Sequence, residues 1–344
     1  MKRILFLITA ISFLTACAAP NDAAGSLPVS EPVFTPFPTQ IPSNSPTSIS
    51  PTSIEPIANT SPLYPYSFEY LTTRSYGEGE IKIISDLGGD NFFSRLLFSY
   101  PSDGLTIYGF MDVPRQPGLY PAVIALHGHV NADVYQTLDY TTRYADAIAH
   151  NGYVVIHPNM RNYKPSDSGP SDLYVGYAID VLNLIHLVRK EGNQVGPLKK
   201  ADPQKIGLWG HSMGGGIALR VATLDSSIRS VVLYGAVSGD LTQSIGRFDS
   251  LGSNPLLLNV SRADLLSISP SSFYANIQAA ISIHHGENDP TVPPQWSKDL
   301  CDQLTLLHKN VECFFYSGQV HTFQGDGEQL FEHRVVDFFS RTLR

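Results

Sequence analysis

The chain has 344 residues, 42% of them hydrophobic, with a formal net charge of −8 and three cysteines. That length allows one large domain or two modest ones. The acidic balance argues against nucleic acid or an anionic membrane surface as a partner, and Cys17, Cys301 and Cys313 have no zinc-ligand spacing.

Lys2 and Arg3 precede an apolar run over 4–14 that is too short to span a bilayer. Leu14-Thr15-Ala16-Cys17 then resembles a bacterial lipobox. The reading is a signal peptide over 1–16 and lipidation of Cys17, which would anchor the protein without a transmembrane helix. An ordinary cleaved signal with an incidental Cys17 is the alternative. The small residues directly before the cysteine favour lipidation. Residues 17–62 are rich in Pro, Ser, Thr and Ala and lack Lys and Arg. Such a stretch buries too little apolar surface to offset chain entropy, and its prolines favour an extended tether.

The folded domain is expected over 63–344, beginning near Tyr64. Strands are expected over 81–85, 92–100 and 105–113, separated by turns at Gly88-Gly89-Asp90-Asn91 and Pro101-Ser102-Asp103-Gly104. These read as antiparallel. The continuous apolar run over 121–126 marks a strand buried on both faces. Helix 137–150, strand 153–156 and helix 172–190 follow, the last with Val175, Ala178, Ile179, Leu182 and Ile185 along one stripe. After strand 206–209 and its helix comes strand 230–234. Residues 239–274 break the rhythm and suggest a cap. Strand 280–284, helix 294–308 with Trp296, Leu300, Leu304 and Leu307 inward, strand 311–316 and helix 327–342 complete the chain. This alternation predicts an α/β fold: a mostly parallel sheet covered by helices on both faces, with antiparallel N-terminal strands.

The chemistry centres on Gly210-His211-Ser212-Met213-Gly214, between the 206–209 strand and a helical pattern carrying Ile217, Ala218, Val221 and Leu224. Strand, Gly-x-Ser-x-Gly and helix is the context of a nucleophile elbow. A Ser hydroxyl needs a base, and the base an orienting carboxylate. In α/β-hydrolases these follow in the order Ser, acid, His, each after a strand. Asp289 follows strand 280–284 and His321 follows the last strand. Glu287 and Asp240 are the competing acids. His127 and His157 precede the Ser, and His284, His308 and His333 lie within elements. The oxyanion donors expected are the backbone N–H groups of Met213, after the nucleophile, and of His129, in the loop after 121–126. A metal site from His127, His129, His157, His284 and His285 lacks ligand spacing, and neither metal nor organic cofactor is called for.

Gly210 to Gly215, Leu126-His127-Gly128, 269–274 and the Asp289 and His321 loops together resemble the catalytic domain of prolyl-oligopeptidase-like serine peptidases. Dienelactone hydrolases and acetyl esterases look similar too. Residues 152–155 followed by Asn159-Met160-Arg161-Asn162-Tyr163 resemble the strand and Arg-containing turn of that peptidase domain. The resemblance spans about Tyr100 onward and implies Ser212, Asp289 and His321 as the triad. No N-terminal propeller fits before the domain. The tyrosine that supplies an oxyanion donor in some of those peptidases is replaced by His127.

The implied activity is an extracytoplasmic, membrane-tethered serine hydrolase cleaving a peptide or ester acyl bond through an acyl-enzyme. A carboxylesterase of dienelactone-hydrolase type is the close alternative, and a non-catalytic binding protein on a hydrolase fold the distant one. Partners would be a small-molecule or peptide acyl substrate and, through the anchor, the membrane. Specificity would come from 239–274 and the loop around 161–173. Cys301 and Cys313 either pair or remain two small buried side chains; a mid-helix cysteine need not fall within reach of the next strand, so the reading leans to unpaired.

Overall fold

The computed structural model describes Ile57 and residues 61–248 and 260–344. The expected leader, Cys17 and most of the tether lie outside those residues, as does the middle of the expected cap.

The described chain opens on a 3-10 turn, Tyr64–Tyr66, and helix α1, Phe68–Thr73, where the strand-based reading placed no element. The Ser67 side chain caps α1 by accepting from the Tyr70 N–H. Leu63 and Leu71 are buried with Leu173, Val175 and Ile179. That burial explains why so short a helix persists.

Strands β1 (Lys82–Gly89), β2 (Phe93–Ser102) and β3 (Leu105–Pro114) form an antiparallel meander. β1 runs to Gly89, through the first expected turn, and is exposed along its whole length. β4 (Tyr120–Leu126), β5 (Val154–Pro158), β6 (Ala201–His211), β7 (Ser230–Tyr234), β8 (Ala280–Gly286) and β9 (Val311–Tyr316) complete a nine-stranded sheet in the order β1-β2-β3-β5-β4-β6-β7-β8-β9. From β5 to β9 every neighbouring pair is parallel.

Helices lie on both faces. α3 (Val175–Glu191) and α4 (Met213–Leu224) lie over the face that carries Ala122, Ile124, Leu126 and Leu208, and α7 (Pro294–Leu306) packs on the same core against β8 and β9. α2 (Thr142–His150) and α8 (Gly325–Thr342) cover Val123, Ala125, Val155 and Trp209. Alternate residues of β4 thus serve opposite cores, which is why its sequence is apolar without alternation.

Three helix expectations need correction. α2 begins at Thr142, not 137: Tyr140 and Thr141 bond instead to His211 and His157, and these tertiary contacts replace another helical turn. Over 172–190 the regular helix begins only at Val175, because Leu173 and Tyr174 have φ of 53° and 61° in a 3-10 turn. In α7, Leu300 and Leu304 are buried, Trp296 is half-buried against Phe248, and Leu307 lies past the helix end and is exposed.

The segment after β7 forms α5 (Leu241–Phe248), α6 (Arg262–Ser267) and a 3-10 turn over Pro270–Asn276. Arg247 of α5 donates to the carbonyls of Pro290 and Thr291, tying this segment to the Asp289 loop. The 161–173 loop is held from below: buried Arg161 bonds Asp180 of α3 at 2.7 Å and donates to the Pro170 carbonyl.

Cys301 of α7 and Cys313 of β9 form a disulfide, correcting the unpaired reading. α7 packs directly on β9, and the two Cα atoms are 6.4 Å apart, inside bonding range. Replacing both by Ser is expected to destabilise the protein by about 3 kcal/mol, the loop-closure entropy for a bridge of this span. Urea unfolding of oxidised wild type and the double variant measures it; equal midpoints would refute the stabilising role.

Candidate active site

Ser212 sits between β6 and α4 with φ 55° and ψ −117°, a conformation an L-residue adopts only under constraint. The constraint is visible. Its N–H donates to the Tyr234 carbonyl at 2.9 Å, and its carbonyl accepts from Gly215, Gly216 and Val237. α4 also presses its first turn onto the end of β4. A Cβ on Gly214 would stand 2.3 Å from the Leu126 carbonyl oxygen, so only glycine permits that approach. Gly128 is equally confined, since its Cβ would meet the Tyr140 hydroxyl at 2.5 Å and Ser212 Cβ at 3.1 Å. The His127–His129 loop therefore lies directly against the candidate nucleophile.

Asp289 and His321 meet. His321 Nδ1 donates to Asp289 Oδ2 at 2.7 Å. Asp289 Oδ1 accepts from the N–H groups of Thr291 and Val292 at 2.8 and 2.9 Å. Burial alone would raise the pKa of this carboxyl. The hydrogen bonds from His285, His321 and Val292 outweigh it and hold the group well below the usual carboxylate range. The pair stands at the end of β7: a Cβ on Gly235 would be 3.3 Å from His321 Nδ1 and 3.6 Å from Asp289 Oδ2. Glu287 is exposed, and Asp240 bonds Thr242 at the start of α5. Among the described residues, no hydrogen bond joins Ser212 to His321. Such contacts are often loose before substrate binds.

The two expected oxyanion donors are the N–H groups of Met213 and His129. Among the described residues, neither the Met213 nor the His129 N–H makes a backbone hydrogen bond. Met213 N–H begins α4, where no helical acceptor exists and the helix dipole favours negative charge. The His127 ring is engaged elsewhere. It is buried, with Nε2 2.9 Å from the Asn159 carbonyl oxygen and Nδ1 2.6 Å from that of Gly128.

Sequence reasoning passed over His211, the residue before Ser212. Its Nε2 lies 2.9 Å from the His321 carbonyl oxygen, so Nε2 carries the proton. Nδ1 must then accept from the Tyr140 hydroxyl at 2.5 Å. The ring stacks on Tyr234 with centroids 4.2 Å apart. Burial, and then the nearby His321, push its pKa down to about 3, so it remains neutral. His211 thus holds the His321 main chain through a fixed tautomer. Tyr140, Arg143, Tyr144, His211 and Thr322 line a pocket of about 310 Å³. His157, by contrast, bonds Tyr135 and Thr141 inside the core.

A Ser on a strained strand-to-helix turn and a carboxylate-bound His, each following a strand of a parallel sheet at its carboxyl edge, define an α/β-hydrolase of the serine hydrolase class. Residues 107–341 match the dienelactone hydrolase family, and the chain belongs to that family. It is 26% identical over 234 residues to the uncharacterized peptidase YtmA of Bacillus subtilis (strain 168), covering 65% of this chain and 84% of that protein. Two solved structures share the fold. The acylaminoacyl peptidase of Pyrococcus horikoshii superposes with a TM-score of 0.58 at 19% identity, over 74% of this chain and 42% of that one. Acetyl xylan esterase 1 from Thermoanaerobacterium sp. JW/SL YS485 gives 0.56 at 16% identity, over 76% of this chain and 89% of that one. This chain therefore spans less than half of the acylaminoacyl peptidase.

Proposed function

We propose that this protein is an exported acyl hydrolase whose triad is Ser212, His321 and Asp289. Ser212 Oγ attacks the acyl carbonyl as His321 takes its proton, and Asp289 holds the imidazole in the required tautomer. The Met213 and His129 amides stabilise the oxyanion. His321 then protonates the leaving group, and water, activated by the same imidazole, releases the acyl-enzyme. The observation that carries this reading is the 2.7 Å bond from His321 Nδ1 to Asp289 Oδ2, on two loops at the edge that presents Ser212.

Small carboxylic esters are the first substrate class. The favouring observation is the match of residues 107–341 to the dienelactone hydrolase family. The likeness to the peptidase YtmA favours the second reading, an amide or peptide substrate. Fluorophosphonate labelling of wild type and Ser212→Ala, with turnover of p-nitrophenyl acetate and of aminoacyl and prolyl p-nitroanilides, tests both. Labelling that survives in Ser212→Ala would refute the nucleophile. Turnover of the anilides would favour the peptidase reading, and turnover of the ester alone the esterase.

We further propose lipidation at Cys17, with residues 17–62 tethering a catalytic domain over 63–344. The leader pattern supports it. So does the Cys301–Cys313 disulfide, a bond that persists in oxidising compartments and is rare in the cytosol. Among the described residues, no helix is long and apolar enough to cross a membrane. Mass spectrometry of the mature protein should find acylated Cys17 as its first residue; an unmodified cysteine or another start would overturn the anchor.

A further inference from the structure

We propose that His285 is a positioning residue for the reaction, turning a second imidazole N–H toward Asp289 in an orientation held by Ser297. The inference rests on the reading of Asp289 as the triad acid.

His285 is the penultimate residue of β8 and is fully buried. Its Nε2 lies 3.1 Å from Asp289 Oδ2 and 3.0 Å from the Val292 carbonyl oxygen. Its Nδ1 lies 2.6 Å from the hydroxyl of Ser297, itself buried in the first turn of α7. The proton positions follow from these partners. A carbonyl oxygen only accepts, and an ionised carboxylate only accepts, so Nε2 carries the hydrogen. Nδ1 of a neutral ring is then an acceptor, and the Ser297 hydroxyl must donate to it. Reversing the ring would set a lone pair against two oxygens.

The consequence lies at Asp289. Thr291 and Val292 donate to Oδ1 and His321 bonds Oδ2; the single Nε2 hydrogen of His285 bonds the Val292 carbonyl and is shared with Oδ2, 3.1 Å from the same nitrogen. The backbone pair sets the plane of the carboxylate. Both imidazoles face the same oxygen, which restrains Oδ2 from swinging away from His321. An apolar side chain at 285 would fill the space but leave Oδ2 with one donor and one rotational restraint fewer. The titratable groups in contact here are Asp289 and, across its carboxylate, His321; α7 contributes the neutral Ser297. Through Ser297 the geometry of the acid is referred to α7, a regular helix, rather than to its own loop alone.

The test uses the full chain and compares His285→Phe, His285→Gln and Ser297→Ala with wild type. In Phe the donor is lost. More of the carboxylate charge then falls on His321, which stabilises its protonated form. His285→Phe should lower kcat for p-nitrophenyl acetate about 10- to 100-fold with KM nearly unchanged, as expected for a lost hydrogen bond to a charged group. The acid limb of the kcat/KM profile should also move to higher pH. Gln places an amide N–H where Nε2 stood, and should restore most of kcat and the wild-type limb. Ser297→Ala removes the hydroxyl that holds the ring at Nδ1, and should shift the same limb with a smaller fall in kcat. It provides the readout should His285→Phe not fold. Wild-type kcat and limb in His285→Phe or, where that variant does not fold, in Ser297→Ala would overturn the proposal even if thermal stability fell. An Asp289→Asn variant that kept wild-type kcat would overturn the triad reading itself. An impaired Asp289→Asn beside a wild-type His285→Phe would overturn the positioning role alone.

Discussion

Ser212→Ala is expected to lower kcat by on the order of 10⁶-fold, with KM changed little and the fluorophosphonate adduct abolished. The magnitude reflects the division of labour. His321 and Asp289 act only through the hydroxyl, so removing Oγ idles the whole unit, while the oxyanion amides and the binding walls persist and leave a small residual rate. The substitution is conformationally mild. Ala keeps the Cβ that packs on Gly128, and the backbone strain at φ 55° is imposed by the Tyr234, Val237 and α4 hydrogen bonds, which are all main-chain. The Tm should therefore stay near wild type. A folded variant retaining more than a few per cent of kcat would refute Ser212 as nucleophile.

The second large effect is expected at Asp289. Asn at this position should cost about 10⁴-fold in kcat. The reason is read from its four donors. The Thr291 and Val292 N–H groups demand an acceptor at Oδ1, so the amide oxygen must sit there. The amide NH₂ then occupies the Oδ2 place and confronts the N–H of His321 and of His285. His321 can relieve the conflict only by moving its proton to Nε2, the nitrogen that must be free to take the Ser proton. Glu287→Gln and Asp240→Asn serve as controls and should stay within a few-fold of wild type, since Glu287 is exposed and Asp240 is engaged at the start of α5. Steady-state kinetics of the three variants decides between them. An Asp289→Asn enzyme within tenfold of wild type would remove Asp289 from the mechanism.

Much of the architecture was legible in the residues because burial imposes pattern. β7 and β9 have the expected bounds, and the run over 121–126 read correctly as a strand with two buried faces. The elbow was legible for a different reason. Close backbone approach demands glycine at defined offsets, and Gly214 against Leu126 is such an approach. Chain order then named Asp289 and His321, and the structure brings these two into contact.

What stayed hidden depended on partners distant in sequence. The late start of α2 is set by Tyr140 and Thr141 reaching residues 71 and 16 positions away, which no local propensity encodes. The disulfide required knowing which face of α7 meets β9. In the sequence His211 carries no assigned role and His285 figures only as a member of a dismissed metal site. Their roles arise only when the folded sheet sets one beside the His321 carbonyl and the other beside the Asp289 carboxylate. By itself the sequence determined the order of the strands and of the helices between and after them apart from the segment following β7, the nucleophile turn and the candidate triad, because each is written in local spacing. Only the tertiary structure decided the tautomers, the second donor on Asp289, the Cys301–Cys313 pair and the bond of α5 to the acid loop, because these are contacts between segments whose meeting is fixed by the packing of the whole sheet.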